Sequence, residues 1–392
     1  MSDSSVNSSI ELGSSTNDSA SISSSISGVS SKSSSSKKLK ISKKSDNSSH
    51  SSKGSSVKKI KIVKKGKGKE KTVDEMYKKM QHKEHIYEKP DTYVGSCEEE
   101  LITTYVFENE SANNDDESSQ SSKKLSGSIT KKDISYPPGW YKCFDELIVN
   151  AHDHKKRMDK LIEDLGKKKH NHKPVTTIKV AIEDNGAISF YNDGDGIHVE
   201  FLEKHNMYPP ELIFGTLLSS TNFDDGDQRE WGGRNGYGAK LANIFGKLFR
   251  VETVDHFNQK KFIQEFSNNM NDKTKPKITT VTKANPYTKI TWLPDYERFG
   301  MKGMSDDVVS VIKKRVYDIA GVTDKKTKVY FNGKLVECRE FEKYIDLYIG
   351  PKSEVKRAYE ESLGWQIVAT SSEDDVFEPV SYTHLTLPTR YR

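Results

Sequence analysis

Three short stretches of this sequence combine residue types suited to a phosphorylated ligand. In FDELIVNAHDH (144–154), the carboxylate of Glu146 and the carboxamide of Asn150 stand four residues apart, which places them side by side on a helix. A carboxylate so placed can take a proton from an attacking water. An amide oxygen is a hard, neutral ligand suited to Mg²⁺, which needs few protein ligands when phosphates and waters complete its octahedron. Taken alone, the pair equally suits a solvated helix face. The second stretch, YNDGDGI (191–197), ends a strand with two glycines one residue apart, where a backbone can approach a flat or charged ligand closely. The third, WGGRNGYGAK (231–240), sets dense glycines ahead of a helix with Lys240 in its first turn. Exposed amides at a helix start plus a lysine form a phosphate cradle. The P-loop pattern is excluded, because no Ser or Thr follows Lys240.

The flanking patterns predict the elements that position these stretches. Phe144, Leu147, Ile148 and Ala151 recur at i, i+3, i+4 and i+7, predicting a helix with one apolar face. Glu146, Asn150, Asp153 and His154 fall on its opposite face. Ile178, Val180 and Ile182 alternate with polar residues, Asp184-Asn185-Gly186 turns the chain, and Ile188 and Phe190 alternate again. That reads as a hairpin with a two-residue Asn-Gly turn. A helix across 210–218 precedes a polar loop, and the glycine-rich stretch opens a helix AKLANIFGKL. Alternating strands follow: KLFRVETV, KKFIQEF, KITTVTK and TKITWLP. This order predicts an α+β sandwich, a mixed sheet with helices on one face. Past Asp295, a helix (308–320) and a strand pair around Asn332-Gly333 predict a second domain. The polar stretch 107–132 reads as a flexible insert.

The chain has 392 residues, 33% apolar and 30% charged, with a mean hydropathy of −0.78, which is polar for a wholly globular chain. Its net charge of +5 is unevenly spread: residues 1–71 hold 15 Lys against five acids, so they carry +10 and the remainder −5. This Ser- and Lys-rich segment has too little apolar area to offset chain entropy and is predicted to be disordered. Its lysine clusters suit nuclear import or non-specific phosphate contact. No apolar run approaches the roughly 20 residues of a bilayer span, and the N-terminus lacks an apolar signal core, so neither a membrane nor secretion is expected. Cys97, Cys143 and Cys338 are far apart and odd in number, which argues for a reducing compartment without a disulfide framework or zinc cluster.

Three modest signals in one order are worth more than each alone. FDELIVNAHDH, NDGDGI, LLSSTNFDD and GGRNGYGAKLANIF resemble the Bergerat-type (GHKL) ATPase boxes of eukaryotic type IIA DNA topoisomerases, and YKKMQHKEHIYEKPDTYVGS, PELIFGTLL and RVYDIAG are similar to the same family at the expected places. The resemblance runs from about Thr72 to Ser381. It implies ATP and Mg²⁺ as cofactors, with Glu146 as the general base and Asn150 as the metal ligand. His154 stands where the family usually shows Asn near the nucleotide, and Asn192 takes the adenine-reading position. Ser220, Thr221 and Asn222 match the ribose and phosphate loop; Arg234, Asn235, Gly236, Tyr237 and Gly238 match the lid over the phosphates, followed by Lys240. Tyr77 matches the strap tyrosine that reaches a partner subunit's nucleotide. The implied organisation is a disordered tail (1–71), a GHKL domain (72–295), a partial transducer domain of ribosomal-protein-like α/β type (296–381) and a non-matching end (382–392). The implied role is the ATP-driven gate of a nuclear, homodimeric enzyme that passes one DNA duplex through another. No counterpart of the family's cleavage module follows, so at most ATPase activity is expected of this stretch. A dimerising clamp without effective hydrolysis, or a chaperone-type GHKL ATPase, are the alternatives.

Overall fold

The computed structural model describes residues 79–109, 127–219, 236–362 and 365–371. The chain falls into two units, Met1–Glu70 and Lys71–Arg392, and every described residue belongs to the second. The predicted tail (1–71), Tyr77 and residues 382–392 lie outside the described residues.

Helix α1 (His82–Glu88) leads into two ten-residue strands, β1 (Glu100–Asn109) and β2 (Gly127–Tyr136), paired antiparallel from Glu100↔Tyr136 to Asn109↔Gly127. The insert expected at 107–132 is therefore shorter: 107–109 and 127–132 are paired strand, and 110–126 lie outside the described residues. Ile129 and Ile134 are buried and Phe107 packs against Tyr317 with the rings tilted, so a few apolar residues within a polar stretch suffice to hold the pair.

Helix α2 (Pro138–Leu165) begins with Pro138 in its first turn, where a missing amide proton is harmless. The predicted stripe of Phe144, Leu147, Ile148 and Ala151 is buried, and Trp140, one turn earlier, extends it. They face a mixed sheet made of β3 (Thr177–Ile182), β4 (Ile188–Asp193), β5 (Gly246–Asp255), β6 (Lys260–Ser267), β7 (Asp272–Lys273), β8 (Lys277–Thr280), β9 (Tyr287–Pro294), β10 (Lys328–Phe331) and β11 (Lys334–Leu335). The order is β11-β10-β3-β4-β9-β5-β6-β7, with β8 also on β6, and among these pairs only β10–β3 is parallel. Phe144 lies 5.7 Å from Phe190 and Trp140 lies 6.4 Å from Trp292, ring centre to ring centre. Each such buried ring contributes about 1.5–3 kcal/mol. The other sheet face is polar, with Arg250 bonded to Glu252 and Glu265. Two short helices, α3 (Pro209–Gly215) and α4 (Gly238–Ile244), lie on the α2 side. The predicted α+β layering is thus the observed one.

Two details differ from expectation. Gly186 donates to the Glu183 carbonyl and is left-handed at φ 82°, whereas Asn185 is not, so the β3–β4 turn has three residues, 184–186, rather than two. The two-residue form occurs instead at Asn332 (φ 46°) and Gly333 (φ 77°), between β10 and β11. The second difference concerns the domain boundary expected at 295/296. Helix α5 (Asp306–Gly321), capped by Ser305, returns the chain so that β10 joins β3 in parallel. Arg315 Nε donates to Asp145 Oδ1 at 2.5 Å inside the protein, and Lys155 reaches Asp324 at 2.7 Å. Residues 306–335 therefore complete the same layered body, because β3 would otherwise expose an unpaired buried edge. Helix α6 (Phe341–Ile349) docks through Tyr344 on Asp318 at 2.7 Å. Beyond it, β12 (Arg357–Ser362) and β13 (Trp365–Thr370) pair, among the described residues, only with each other and expose Trp365 and Ile367.

Candidate active site

Helix α2 carries the first predicted group. Glu146, Asn150 and His154 recur every fourth residue, so they form one stripe along the helix beside the apolar one. Asn150 is exposed, and Glu146 and His154 are partly buried. Asp153, expected on the same face, is instead buried at 1% exposure. Lys142 Nζ holds Glu146 Oε1 at 2.6 Å, one turn earlier on the helix. The other carboxylate oxygen lies against Gly238, the first residue of α4. A Cβ at Gly238 would overlap that oxygen and stand 3.0 Å from the Glu146 Cδ. The glycine is thus what lets the glycine-rich helix start approach the carboxylate.

Asn192, near the end of β4, is 6% exposed. Its Nδ2 donates to His154 Nδ1 at 2.7 Å and to the Asp193 carbonyl at 2.8 Å. Burial, with Arg157 nearby, pushes the His154 imidazole down to about 4, so the ring is neutral at physiological pH. The end of β4 is itself fixed: the Asp193 carboxylate accepts from the Thr176 and Thr177 amides, both at 2.7 Å, and from the Thr176 hydroxyl.

The two glycines after β4 face protein. Gly194 is left-handed at φ 94° and abuts Val175, while a Cβ on Gly196 would overlap the Val254 carbonyl. Close approach is real here, but the neighbours are Val175, just ahead of β3, and strand β5. Asp195 between them ties in the preceding loop, taking His172 Nδ1 at 2.6 Å and the Lys173 amide at 2.8 Å. Lys240 also differs from expectation. It is 3% exposed, and its Nζ donates to the carbonyls of Ser219 (2.6 Å) and Gly236. Its ammonium therefore ties two backbone segments together, and burial pushes its pKa down to about 8. Tyr237 meets the His82 ring of α1 edge-on at 5.7 Å.

Of the predicted residues, Glu146 and Gly238 come into contact and so do His154 and Asn192. Asn150 lies between these pairs on α2, and Gly236, Tyr237 and Lys240 gather at the α4 start. Ser220, Thr221, Asn222, Arg234 and Asn235 fall, like Tyr77, outside the described residues. Sequence reasoning missed Lys142, although its i,i+4 spacing to Glu146 was a legible signal. It also missed the Asp195–His172 tie, which no spacing announces.

No protein-family model matches the chain. The sequence is 44% identical over 287 residues to DNA topoisomerase 2 of Acanthamoeba polyphaga mimivirus, covering 73% of this chain and 20% of that protein. It is 38% identical over 324 residues to DNA topoisomerase 2 of Arabidopsis thaliana, covering 80% and 20%. The chain thus spans about a fifth of the length of these curated relatives. Among solved structures, the ATPase region of Saccharomyces cerevisiae topoisomerase II superposes with a TM-score of 0.66 at 36% identity, covering 77% of this chain and 72% of that one. The ATPase and transducer domains of DNA topoisomerase II from Balamuthia mandrillaris give 0.66 at 35%, covering 78% and 70%. The mixed sheet and the helices packed on it are those of the GHKL ATPase fold. Within that class, the chain belongs to the topoisomerase II family and corresponds to its ATPase region.

Proposed function

We propose that this chain is the ATP-binding and hydrolysing gate of a type II DNA topoisomerase. The observation that carries the reading is the Glu146 carboxylate, gripped by Lys142 and pressed against Gly238 where the glycine-rich helix begins. Lys142 holds the carboxylate aimed, and its other oxygen takes the proton from water as it attacks the terminal phosphate. Asn192 reads the base from the far end of the α2 stripe. Gly236, Tyr237 and Gly238 border the phosphates through backbone amides, and Lys240 stands beside them as part of the nucleotide site, bracing that border.

Asn150 is the residue that would hold Mg²⁺. It is an exposed, hard oxygen donor one turn from the carboxylate. No group of three or more His, Cys, Asp or Glu able to hold a metal stands among the described residues. That donor set fits an ion that draws most ligands from phosphate and water. When bound, the ion offsets phosphate charge.

The wider role belongs to the same proposal: dimer closure through the strap containing Tyr77, passage of double-stranded DNA, and a nuclear location. It rests on family membership, and for DNA contact and import on the +10 charge of residues 1–71. In this reading the ATP-binding domain extends from 72 to about 335, and the transducer begins beyond it. The Ser220–Asn222 and Arg234–Asn235 roles complete the nucleotide site. The decisive experiment is Glu146→Ala. ATP binding should persist while turnover falls on the order of 10²–10⁴-fold; wild-type turnover in the variant would overturn the assignment.

A further inference from the structure

The α2 stripe ends on His154, where the resembled family usually shows Asn. Both amide hydrogens of its neighbour Asn192 are committed, one to His154 Nδ1 and one to the Asp193 carbonyl. Its carbonyl oxygen has no hydrogen-bond partner among the described residues. This orientation is not free to invert. A flipped carboxamide would aim its oxygen at the Nδ1 lone pair and at the Asp193 carbonyl, two acceptor–acceptor contacts in a buried place. The lock requires a neutral ring with its proton on Nε2, so that Nδ1 accepts; the Asp193 carbonyl, which can only accept, holds the amide nitrogen on this side and calls for that tautomer.

We infer that His154 is a positioning residue for nucleobase selection: it holds Asn192 with the carbonyl oxygen as the available acceptor, so the site takes purine nucleotides bearing a 6-amino donor and rejects those bearing a 6-oxo acceptor. The inference rests on the ATP-binding reading above and adds to it a role for His154 that does not depend on contact with the nucleotide. The Asp193 carbonyl and the histidine acceptor hold the amide nitrogen together, which leaves the oxygen as the available acceptor.

The test measures ATP and ITP affinity by calorimetry on the full chain, as wild type, His154→Leu and His154→Asn. Asn places an amide oxygen where the imidazole carries Nδ1, so it preserves the acceptor; Leu removes it. Wild type should prefer ATP, His154→Asn should keep that preference, and His154→Leu should lose it by on the order of tenfold. If the leucine variant does not fold, His154→Phe serves in its place. A wild type that binds neither nucleotide overturns the ATP-binding reading. A wild type that prefers ATP, with an unchanged ratio in the leucine variant, overturns this inference and leaves that reading standing. So does an asparagine variant that behaves like leucine.

Discussion

The two ends of the α2 stripe solve opposite problems. At Glu146 the protein keeps a charge at a partly open position, compensated by Lys142 at 2.6 Å. At His154, eight residues along, it keeps everything neutral: a ring with its basicity suppressed by burial and a carboxamide at 6% exposure. A proton-accepting group must keep its ionised form and reach water. A base-reading group gains selectivity from desolvation, because a buried donor or acceptor facing the wrong partner costs more than a good contact returns. One helix serves both ends because their neighbours differ: Lys142 beside Glu146, and the buried Asn192 beside His154.

That contrast can be broken at its catalytic end first. Gly238→Ala should leave stability unchanged or slightly raised, since Ala favours a helix by up to about 1 kcal/mol. Its Cβ displaces the Glu146 carboxylate, however, and a shift of about 1 Å should lower turnover on the order of 10²-fold. Steady-state kinetics alongside thermal unfolding would separate these effects; loss of both together would mean the glycine serves only the fold.

The neutral end should show itself as a pH dependence. His154 is held at about 4 in the folded protein against 6.5 as a free group, so between those values the unfolded chain binds more protons. Stability therefore falls as pH drops from about 6.5 toward 4, by an amount on the order of 2 kcal/mol, and this loss levels off below 4. Denaturant titrations of wild type and His154→Asn should diverge over that window. Parallel curves would remove the buried, neutral histidine from the account. Lys142→Met should have the smallest effect. The pair is half in water, so its removal should cost about 0.5 kcal/mol of stability and only a few-fold in turnover. A loss as large as that of Gly238→Ala would show that the lysine does more than orient Glu146.

Much of this arrangement was legible in residue spacing. The apolar and polar stripes of α2 follow from the helical period, and the β3–β4 pair from strand alternation, because each depends on backbone geometry within a few residues. The failures have a common cause. Asp153 shares the polar side of the helical wheel, yet α2 is covered by more than the sheet, and the residue is buried. Lys240 was read with its helix start, and its ammonium also ties the carbonyls of Ser219 and Gly236, a contact that spacing does not announce. The break expected at Asp295 rested on a change in pattern, whereas Arg315–Asp145 and the β10–β3 pairing run straight across it.

Local order thus assigns the groups: a carboxylate and a carboxamide one helical turn apart, a glycine wherever the chain must pass close, and a charged surface over an apolar interior. Orientation is a different matter. Asn192 could offer either end of its amide, and the Asp193 carbonyl together with His154, 38 residues away in sequence, holds one of them. Whether a lysine meets phosphate or backbone, and whether a glycine meets ligand or strand, likewise depends on what the fold brings alongside. Hydrogen-bond direction and desolvation are properties of neighbours in space, and spacing along the chain does not encode them.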